Sequence, residues 1–411
     1  MAITRQTIEA AAELIGDAVL RTPTVPSEAL SALAGTRIVL KLESLQHTGS
    51  FKVRGAFVKM SGLDDAARKA GVVAASAGNH AQGVAFWARR LGVPATIVMP
   101  EGTPFTKISR TEALGSRVVI AGPGLSESRE HALGLVDSEG LEFIHPYDDP
   151  DIIAGQGTVA LEMLADASDL DCIVVPIGGG GLMAGVATVA RALKPGIEII
   201  GVEAGLYPSM RRRAIDGSAS LDCGGQTVAE GIAVKQPGGL TLPIVESLVD
   251  DIVLIDESAL EAAVHAFIEH QRLVVEGAGA APLAAVLDDP ERFAGKTVGL
   301  VVSGGNIDSR LLSSILMRGL VRQGRLVRLR VEITDSPGIL AKVSGIIGAV
   351  GGNIVEVYHQ RLFFDVPVKL AEVDVVIETR DSGHVAEVID RLTSAGYPVR
   401  LLGATSSADG G

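Results

Sequence analysis

The chain is poor in several residue types, and each scarcity narrows what it can be. Only two cysteines, Cys172 and Cys223, occur in 411 residues, so neither a disulfide framework nor a zinc site is indicated. Aromatic residues make up 3% of the chain and hydrophobic residues 47%, which predicts cores built mainly from aliphatic side chains. Basic residues (36) are outnumbered by acidic ones (49), and the net charge of −13 argues against a nucleic-acid partner.

Long apolar runs are also missing. Even the segment 161–175 contains four acidic residues, so no stretch is suited to spanning a bilayer and no membrane partner is expected. Residues 1–20 predict an amphipathic helix with Thr4 as its N-cap, and they do not have the pattern of a signal peptide. We therefore expect a cytoplasmic protein. Its length predicts two or three domains.

Short β-branched runs alternate with helical segments over the first three quarters of the chain. Nearly continuous apolar runs of this kind are typical of parallel strands that are buried on both faces. The pattern predicts a doubly wound α/β fold, with ligands bound at the carboxyl ends of the strands. The predicted strands cover residues 37–40, 71–74, 95–99, 117–120, 172–175, 198–202, 251–254 and 297–302.

The pattern changes after residue 316. Residues 326–402 predict the order β-α-β-β-α-β, which is the order of a ferredoxin-like unit. The segment before it is rich in arginine and glycine and is interpreted as a linker. The predicted domains are a catalytic domain (1–318), the linker (319–325), a regulatory domain (326–403) and a flexible tail (404–411).

Two motifs suggest the chemistry of a phosphate-bearing aldehyde cofactor. Lys52 lies in a Ser-x-Lys setting and could form an imine, and Gly178–Gly181 open a helix after a strand, where backbone amides can bind a phosphate. Alone, Lys52 is equally consistent with a surface lysine in a loop. The glycine run does not match G-x-G-x-x-G in any register, so a dinucleotide site is disfavoured.

Three further segments lie where site residues are expected. Residues 76–83 join a strand to a helix and could bind a substrate carboxylate, although Ser76 and Asn79 could simply cap that helix. Ser303 ends the last apolar strand, where its hydroxyl could bond a ring nitrogen or belong to an ordinary turn. Glu276 starts another helix, either as a partner of the helix dipole or as a site residue.

In order and spacing, these motifs resemble the threonine dehydratase (threonine ammonia-lyase) family over about residues 5–316. That family belongs to the tryptophan synthase β-like, fold-type II pyridoxal phosphate enzymes, which implies a two-lobed catalytic domain with parallel sheets. Asp335–Leu340 followed by Gly351–Ile354 resembles an ACT domain, an amino-acid-sensing module. The resemblance rests on the runs 50–56, 76–80, 178–182, 276–279 and 303–306.

The resemblance also implies roles for individual residues. Lys52 would hold pyridoxal 5′-phosphate as an imine, Asn79 would bond its 3′-oxygen, and Ser303 would face its pyridine nitrogen. The full set of implied cofactor residues is Phe51, Lys52, Asn79, Gly178, Gly179, Gly180, Gly181, Leu182, Glu276, Ser303 and Gly304. The implied substrate residues are Ser76, Ala77, Gly78, Asn79 and His80. The implied effector residues are Pro337, Gly338, Ile339, Leu340, Asn353 and Ile354.

Two departures separate the chain from serine racemases, which it also resembles. Racemases carry a serine directly before Gly-Asn-His as an acid/base, whereas this chain has Ala77, so racemisation is not expected. Their divalent-metal site needs a second acidic residue six positions after the first. Glu203 matches the first, but Ser209 stands at the second position, so no metal site is predicted.

We therefore expect a pyridoxal-phosphate-dependent lyase that converts L-threonine to 2-oxobutanoate and ammonia, with L-serine giving pyruvate. A branched-chain amino acid is the expected effector, and a homodimer or homotetramer is the expected assembly; the alternative is a purely structural dimerisation domain. An L-serine dehydratase or serine racemase-like enzyme stays open, as does a non-catalytic amino-acid sensor. The sequence does not distinguish isoleucine biosynthesis from threonine breakdown.

Overall fold

The computed structural model describes residues 2–218, 223–360 and 370–402. They belong to two compact units, Met1–Asp308 and Ser309–Gly411. A single helix, Ser309–Arg322, runs across the predicted boundary at residue 318 and includes the first part of the predicted linker, because its apolar residues keep helical spacing as far as Val321. The predicted tail, 404–411, lies outside the described residues.

The first helix of the chain forms as its sequence predicts. α1 spans Arg5–Ile15, and the Thr4 and Thr7 side chains cap its first turn reciprocally, which confirms Thr4 as the N-cap. The other helices of the first unit are α2 (Glu28–Ala34), α3 (Lys52–Ser61), α4 (Asp65–Ala70), α5 (Asn79–Leu91), α6 (Phe105–Ala113), α7 (Leu125–Glu139), α8 (Pro150–Asp166), α9 (Gly181–Leu193), α10 (Ser209–Ala214), α11 (Thr241–Leu248), α12 (Glu257–Ala266), α13 (Gly277–Asp288) and α14 (Pro290–Phe293).

The strands of the first unit form two sheets, where the sequence predicted strands without dividing them. The larger sheet has the order β1-β2-β10-β7-β8-β9 and is parallel except for β1, which pairs antiparallel with β2. The smaller sheet is parallel, with the order β5-β4-β3-β6. The strands are β1 (Thr24–Pro26), β2 (Arg37–Leu42), β3 (Val72–Ala75), β4 (Ala95–Met99), β5 (Arg117–Ile120), β6 (Glu142–Phe143), β7 (Cys172–Pro176), β8 (Glu198–Ala204), β9 (Asp251–Ile255) and β10 (Thr297–Val302).

Burial explains why the strand predictions succeeded. Every residue of β3, β4 and β7 is buried, as expected for strands covered on both faces. The sequence missed β1 and β6 because three and two residues are too few to show a period. The predicted two-lobed, fold-type II arrangement of parallel sheets is confirmed.

The second unit has the predicted ferredoxin-like order, and its sheet is antiparallel. The sheet runs β12-β13-β11-β14, and two helices supply apolar residues to the core on one of its faces. Its elements are α15 (Ser309–Arg322), β11 (Leu326–Thr334), α16 (Ile339–Ala349), β12 (Asn353–Gln360), β13 (Leu370–Glu378), α17 (Ser382–Ser394) and β14 (Val399–Leu402).

Four charged side chains meet between β2, α3 and α8, and we call Lys41, Glu43, Arg54 and Glu162 the buried tetrad. The first three are 0% exposed. Arg54 donates to Glu43 at 2.8 Å and to Glu162 at 2.7 Å, and Lys41 also donates to Glu162. Burial by itself would raise the pKa of Glu43, but Arg54, with help from the Thr22 hydroxyl and Lys41, outweighs it and the pKa is lowered. Two cations and two carboxylates therefore neutralise one another away from water.

Among residues 2–218, 223–360 and 370–402, no helix combines the length and the apolar character that crossing a membrane requires.

Candidate active site

The segment that carries Lys52 is joined to the end of the last strand of the larger sheet. The Phe51 amide donates to the Ser303 carbonyl at 3.1 Å, and the Gly305 amide donates to the Gly49 carbonyl at 2.9 Å. These bonds bring together two predicted motifs that lie far apart in the chain. α3 then begins at Lys52 itself, so the side chain leaves from the first position of a helix.

The Lys52 amine lies in a partly buried, polar environment. Its Nζ atom donates to the Pro146 carbonyl at 2.7 Å and lies 5.2 Å from the centre of the Phe51 ring. Burial lowers the pKa of Lys52 to about 8, and the Glu276 carboxylate opposes that shift. An amine with this pKa is unprotonated in a much larger fraction near neutral pH than an exposed lysine, so it is a better nucleophile and base.

Asn79 and His80 begin α5, and the structure argues against a capping role for Asn79. The N-cap position is Gly78, which has no side-chain cap, and Ser76 Oγ accepts from the Gly78 amide at 3.1 Å. Asn79 Nδ2 instead donates to Glu276 Oε1 at 2.7 Å. His80 donates from Nε2 to the Ile144 carbonyl at 2.9 Å, and burial together with Lys52 lowers the pKa of His80 to about 3.

Glu276 lies at the start of α13 and faces Asn79, which follows the smaller sheet. Burial raises the pKa of Glu276 to about 7, while the hydrogen bond from Asn79 opposes this shift. The Glu276 amide donates to the Gly304 carbonyl at 3.1 Å, and a Cβ atom on Gly304 would lie only 2.3 Å from Glu276 Oε1. A side chain at position 304 would therefore displace this carboxyl from the strand end. Ser303, immediately before it, is buried.

The glycine run forms the turn from β7 into α9, and its neighbours explain why side chains are excluded. A Cβ atom on Gly179 would lie 2.3 Å from the Tyr147 ring, and one on Gly181 would lie 2.7 Å from the Tyr147 carbonyl oxygen. Gly180 has φ +96°, and no side chain caps α9 after it. The first amides of α9 therefore remain available to an anion, which is the geometry of a phosphate site.

The segment His145–Asp148 connects these parts, and sequence reasoning missed it. Pro146 accepts from Lys52, Tyr147 covers the glycine turn, and Asp148 accepts from the Leu240 amide at 2.8 Å at the start of α11. The His145 ring accepts from the Asp148 amide at 2.7 Å, and burial lowers the pKa of His145 to about 4. The segment follows the two-residue strand β6, so no periodic pattern precedes it to mark it as a site loop.

The Glu203 carboxylate accepts hydrogen bonds from backbone amides of its own unit. Its two carboxylate oxygens accept from the amides of Met210 at 2.8 Å and Arg211 at 2.9 Å, in the first turn of α10. Burial raises the pKa of Glu203 to about 7, and these amide bonds oppose the shift. Glu203, which matches the first acidic position of the racemase metal site, therefore caps α10 in this structure.

The predicted effector residues fall into two groups at opposite ends of the C-terminal sheet. Pro337–Leu340 follow the end of β11, whereas Asn353 and Ile354 begin β12. Leu326 at the start of β11 pairs with Glu378 of β13, and so does Asn353 at the start of β12. β11 and β12 therefore start at the same end of the sheet. The two groups are therefore separated by the length of a strand, roughly 25–30 Å for nine residues. One copy of the unit does not bring them together.

Comparisons with known proteins agree with this geometry. The chain matches the model of the pyridoxal-phosphate dependent enzyme family over residues 15–304. It is 43% identical to an L-threonine ammonia-lyase of Thermotoga maritima over 401 residues, which cover 98% of this chain and 100% of that one. The structure of threonine deaminase isoform 2 from Solanum lycopersicum aligns with 35% identity and a TM-score of 0.71, covering 76% of this chain and 87% of that one. Maize serine racemase aligns with 34% identity and a TM-score of 0.73, covering 78% and 98%.

The fold and the site define the class, a fold-type II pyridoxal-phosphate-dependent enzyme. Within that class, the chain belongs to the L-threonine ammonia-lyase family. The predictions of the cofactor and of the lyase class are confirmed. The residues present fit the cofactor, because the first turn of α9 has no side-chain cap on its amides, which could bind a phosphate, and Lys52 supplies an amine that contacts the neighbouring segment His145–Asp148.

Proposed function

We propose that this chain converts L-threonine to 2-oxobutanoate and ammonia, with Lys52 as the residue that holds the cofactor. One observation carries the proposal: consecutive residues, Pro146 and Tyr147, contact the Lys52 amine and the glycine turn respectively. The Lys52 amine and the glycine turn proposed to bind the phosphate therefore both contact the same short segment. Pyridoxal phosphate carries its aldehyde and its phosphate-bearing methylene group on adjacent ring carbons, so the partners of the two groups must lie close to one another.

The cofactor, when bound, supplies an electron sink for the bond electrons left at the substrate Cα. The chain's own residues do the rest. Lys52 Nζ takes the Cα proton, which its pKa of about 8 permits near neutral pH. The substrate then loses its β-hydroxyl as water, and a water molecule later releases ammonia, so the net products are one keto acid and one ammonia. The amides at the start of α5 are available for the substrate carboxylate.

The remaining cofactor roles follow from position. The residues Gly178–Leu182 would hold the phosphate through backbone amides, and Asn79 would offer Nδ2 to the 3′-oxygen. The buried Ser303 would present a neutral hydroxyl to the ring nitrogen, which leaves that nitrogen largely unprotonated and favours prompt elimination. Phe51 and Glu276 would complete the wall of the site.

Ala77 supports a lyase over a racemase. Racemisation requires a second proton donor on the face of the substrate opposite Lys52, and a methyl group cannot move a proton. The structural similarity to maize serine racemase therefore extends to the fold and the cofactor site only. L-Serine should enter the same site and give pyruvate as a side reaction.

Product analysis tests this function directly. Incubated with L-threonine, the holoenzyme should release 2-oxobutanoate and ammonia in equal amounts; with L-serine it should release pyruvate, and chiral analysis should find no D-serine. A preference for L-serine would favour the serine dehydratase, and D-serine formation would favour the racemase-like enzyme. Absence of keto acid from both substrates would favour the non-catalytic sensor.

The C-terminal unit is proposed to bind a branched-chain amino acid between two copies of the chain. β12 is one of the two edge strands in the described sheet, and its residues Val355 and Val357 are 52% and 47% exposed. Antiparallel pairing of β12 with β12 of a second copy would place Asn353 at the end of the partner sheet where the partner copy's Pro337–Leu340 segment lies. Such pairing supports a homo-oligomer and unites the two separated groups of effector residues.

A carboxylate placed at the effector turn should abolish the response to the effector. Gly338 precedes α16 with φ +87° and without a side-chain cap, so the amides that follow are available to an α-carboxylate. In Gly338→Asp, the new side chain would repel that carboxylate and compete for the amides. The variant should therefore need at least about tenfold more isoleucine or valine than the wild type for the same shift in the threonine KM.

Two controls separate the charge from the strain of a side chain at positive φ. Gly345→Asp adds the same charge to an open position of α16, and Gly338→Ala adds a side chain at φ +87° without a charge. Both variants should respond to isoleucine and valine as the wild type does. An unchanged response in Gly338→Asp would contradict the proposed effector site and leave the dimerisation role of the unit.

A further inference from the structure

We infer that Asn306 is a positioning residue, whose side-chain amide decides which end of the Asn79 amide faces the cofactor. Asn306 Nδ2 lies 2.6 Å from the Thr48 carbonyl oxygen and 2.7 Å from Asn79 Oδ1. It thereby joins the segment that leads into Lys52 to the residue assigned to the 3′-oxygen of the cofactor. The inference rests on that proposed role of Asn79.

The polarity of this chain of hydrogen bonds is determined at one end. A backbone carbonyl can only accept, so the atom that Asn306 presents to Thr48 must be its amide nitrogen. The second N–H of that nitrogen then points to Asn79, which must present Oδ1. Asn79 is left with Nδ2 on its other side, where one N–H donates to Glu276 Oε1 at 2.7 Å and the second is available to an oxygen of the cofactor.

The Thr48 carbonyl is itself held firmly. Thr48 has φ +60°, and within the described residues Arg272 is the other non-glycine residue with a positive φ. Such a conformation persists only where neighbours enforce it. Gly49 follows with φ +73°, and a Cβ atom there would lie 2.9 Å from Asn306 Oδ1. Asn306 therefore packs directly on the backbone whose carbonyl it binds.

Replacing the donor by an acceptor should reverse the chain of bonds. In Asn306→Asp, a carboxylate can donate neither to the Thr48 carbonyl nor to Asn79 Oδ1. Asn79 would satisfy it by rotating its amide, so that Nδ2 faces residue 306 and Oδ1 faces Glu276 and the cofactor. The donor to the cofactor's 3′-oxygen is then lost.

The test is a double-mutant cycle on cofactor binding. Apo-protein of the wild type, Asn306→Asp, Asn79→Ala and the double variant is titrated with pyridoxal phosphate, and the Kd and the absorption maximum of the bound cofactor are measured. Asn306→Asp and Asn79→Ala should each weaken binding about 10- to 100-fold and shift the absorption maximum. The double variant should resemble Asn79→Ala alone, because Asn306 acts through Asn79.

Three results would overturn the inference. An Asn306→Asp variant that binds and absorbs like the wild type, while Asn79→Ala is impaired, refutes it without touching the proposed function. The same refutation follows if Asn306→Asp weakens the Asn79→Ala background by its full factor, because the effect is then structural. An unaltered Asn79→Ala variant instead removes the cofactor role of Asn79, and the inference with it. Asn306→Ala, which loses the donor without adding a charge, gives the same comparison if the aspartate variant does not fold.

Discussion

Lys52→Ala should abolish turnover of L-threonine and the visible absorption of the covalently held cofactor. The substitution removes both the amine proposed to hold pyridoxal phosphate and the base assigned to the Cα proton. Loss of a positioned base alone reduces rates by about 10²–10⁴-fold, and loss of covalent binding adds to this. Stopped assays for 2-oxobutanoate and an absorption spectrum of the reconstituted variant measure the two effects separately.

The pH dependence of reconstitution provides a second measurement on the wild type. Only the unprotonated amine attacks the cofactor aldehyde, and burial lowers the pKa of Lys52 to about 8. The rate at which apo-protein gains the absorption band should therefore rise with pH and level off above about 8, well below the pKa of an exposed lysine, about 10.4.

Lys59→Ala is the control for the helix. Lys59 lies on α3 as well, and its amine pairs with Asp149 at 3.0 Å and with Glu142 at 3.4 Å, whereas the Lys52 amine donates to the Pro146 carbonyl. This variant should keep the absorption band and most of the turnover. Retention of both properties by Lys52→Ala would refute the assignment of the lysine.

Arg54→Met should destabilise the first unit by about 3–5 kcal/mol. Arg54 is 0% exposed and donates to both carboxylates of the buried tetrad. Its removal leaves Glu43 and Glu162 beside one remaining cation, Lys41, so a negative charge is buried without a partner. Urea unfolding of the apo-protein, followed by the single tryptophan of the chain, measures the change.

Arg37→Met is the matched control for this prediction. Arg37 pairs with Asp169 at the start of β2, but both side chains are more than half exposed, so the same substitution should cost only about 0–1 kcal/mol. Equal costs in the two variants would contradict the account of the buried tetrad.

Acid should weaken the same contacts. The folded-state pKa of Glu43 is lowered, so its contribution is complete above its unfolded value, about 4.3, and is lost as the pH falls through the folded value. The wild type should therefore lose stability progressively below about pH 4 to 5. Arg54→Met should lose much of this dependence, because the guanidinium that lowers the pKa is gone.

Local patterns predicted most of the fold because the signals are short-range. The strands β3, β4, β7 and β10 are nearly continuous apolar runs, and burial on both faces requires such runs wherever the strand lies. The glycine turn into α9 was equally visible, because close contacts of its backbone exclude every side chain there. These features depend on chemistry that adjacent residues carry.

Features that depend on distant partners were not visible. Nothing around Pro146 indicates that its carbonyl meets Lys52, because a carbonyl oxygen is common to every residue. Asn306 belongs to the motif 303–306, yet its role depends on the positions of Thr48 and Asn79. The effector residues were predicted as one group, and only the strand register places them at opposite ends of a sheet.

Neighbouring residues were sufficient to predict the secondary structure, the two units and the cofactor, since periodicity and backbone requirements are local properties. The folded chain was needed for the division into two sheets, the balance of charge in the buried tetrad, the pKa values of Lys52 and Glu276, and the direction of the Asn306–Asn79–Glu276 hydrogen bonds. Each of these depends on distance and desolvation between groups far apart in the chain, and electrostatic free energies change steeply with both.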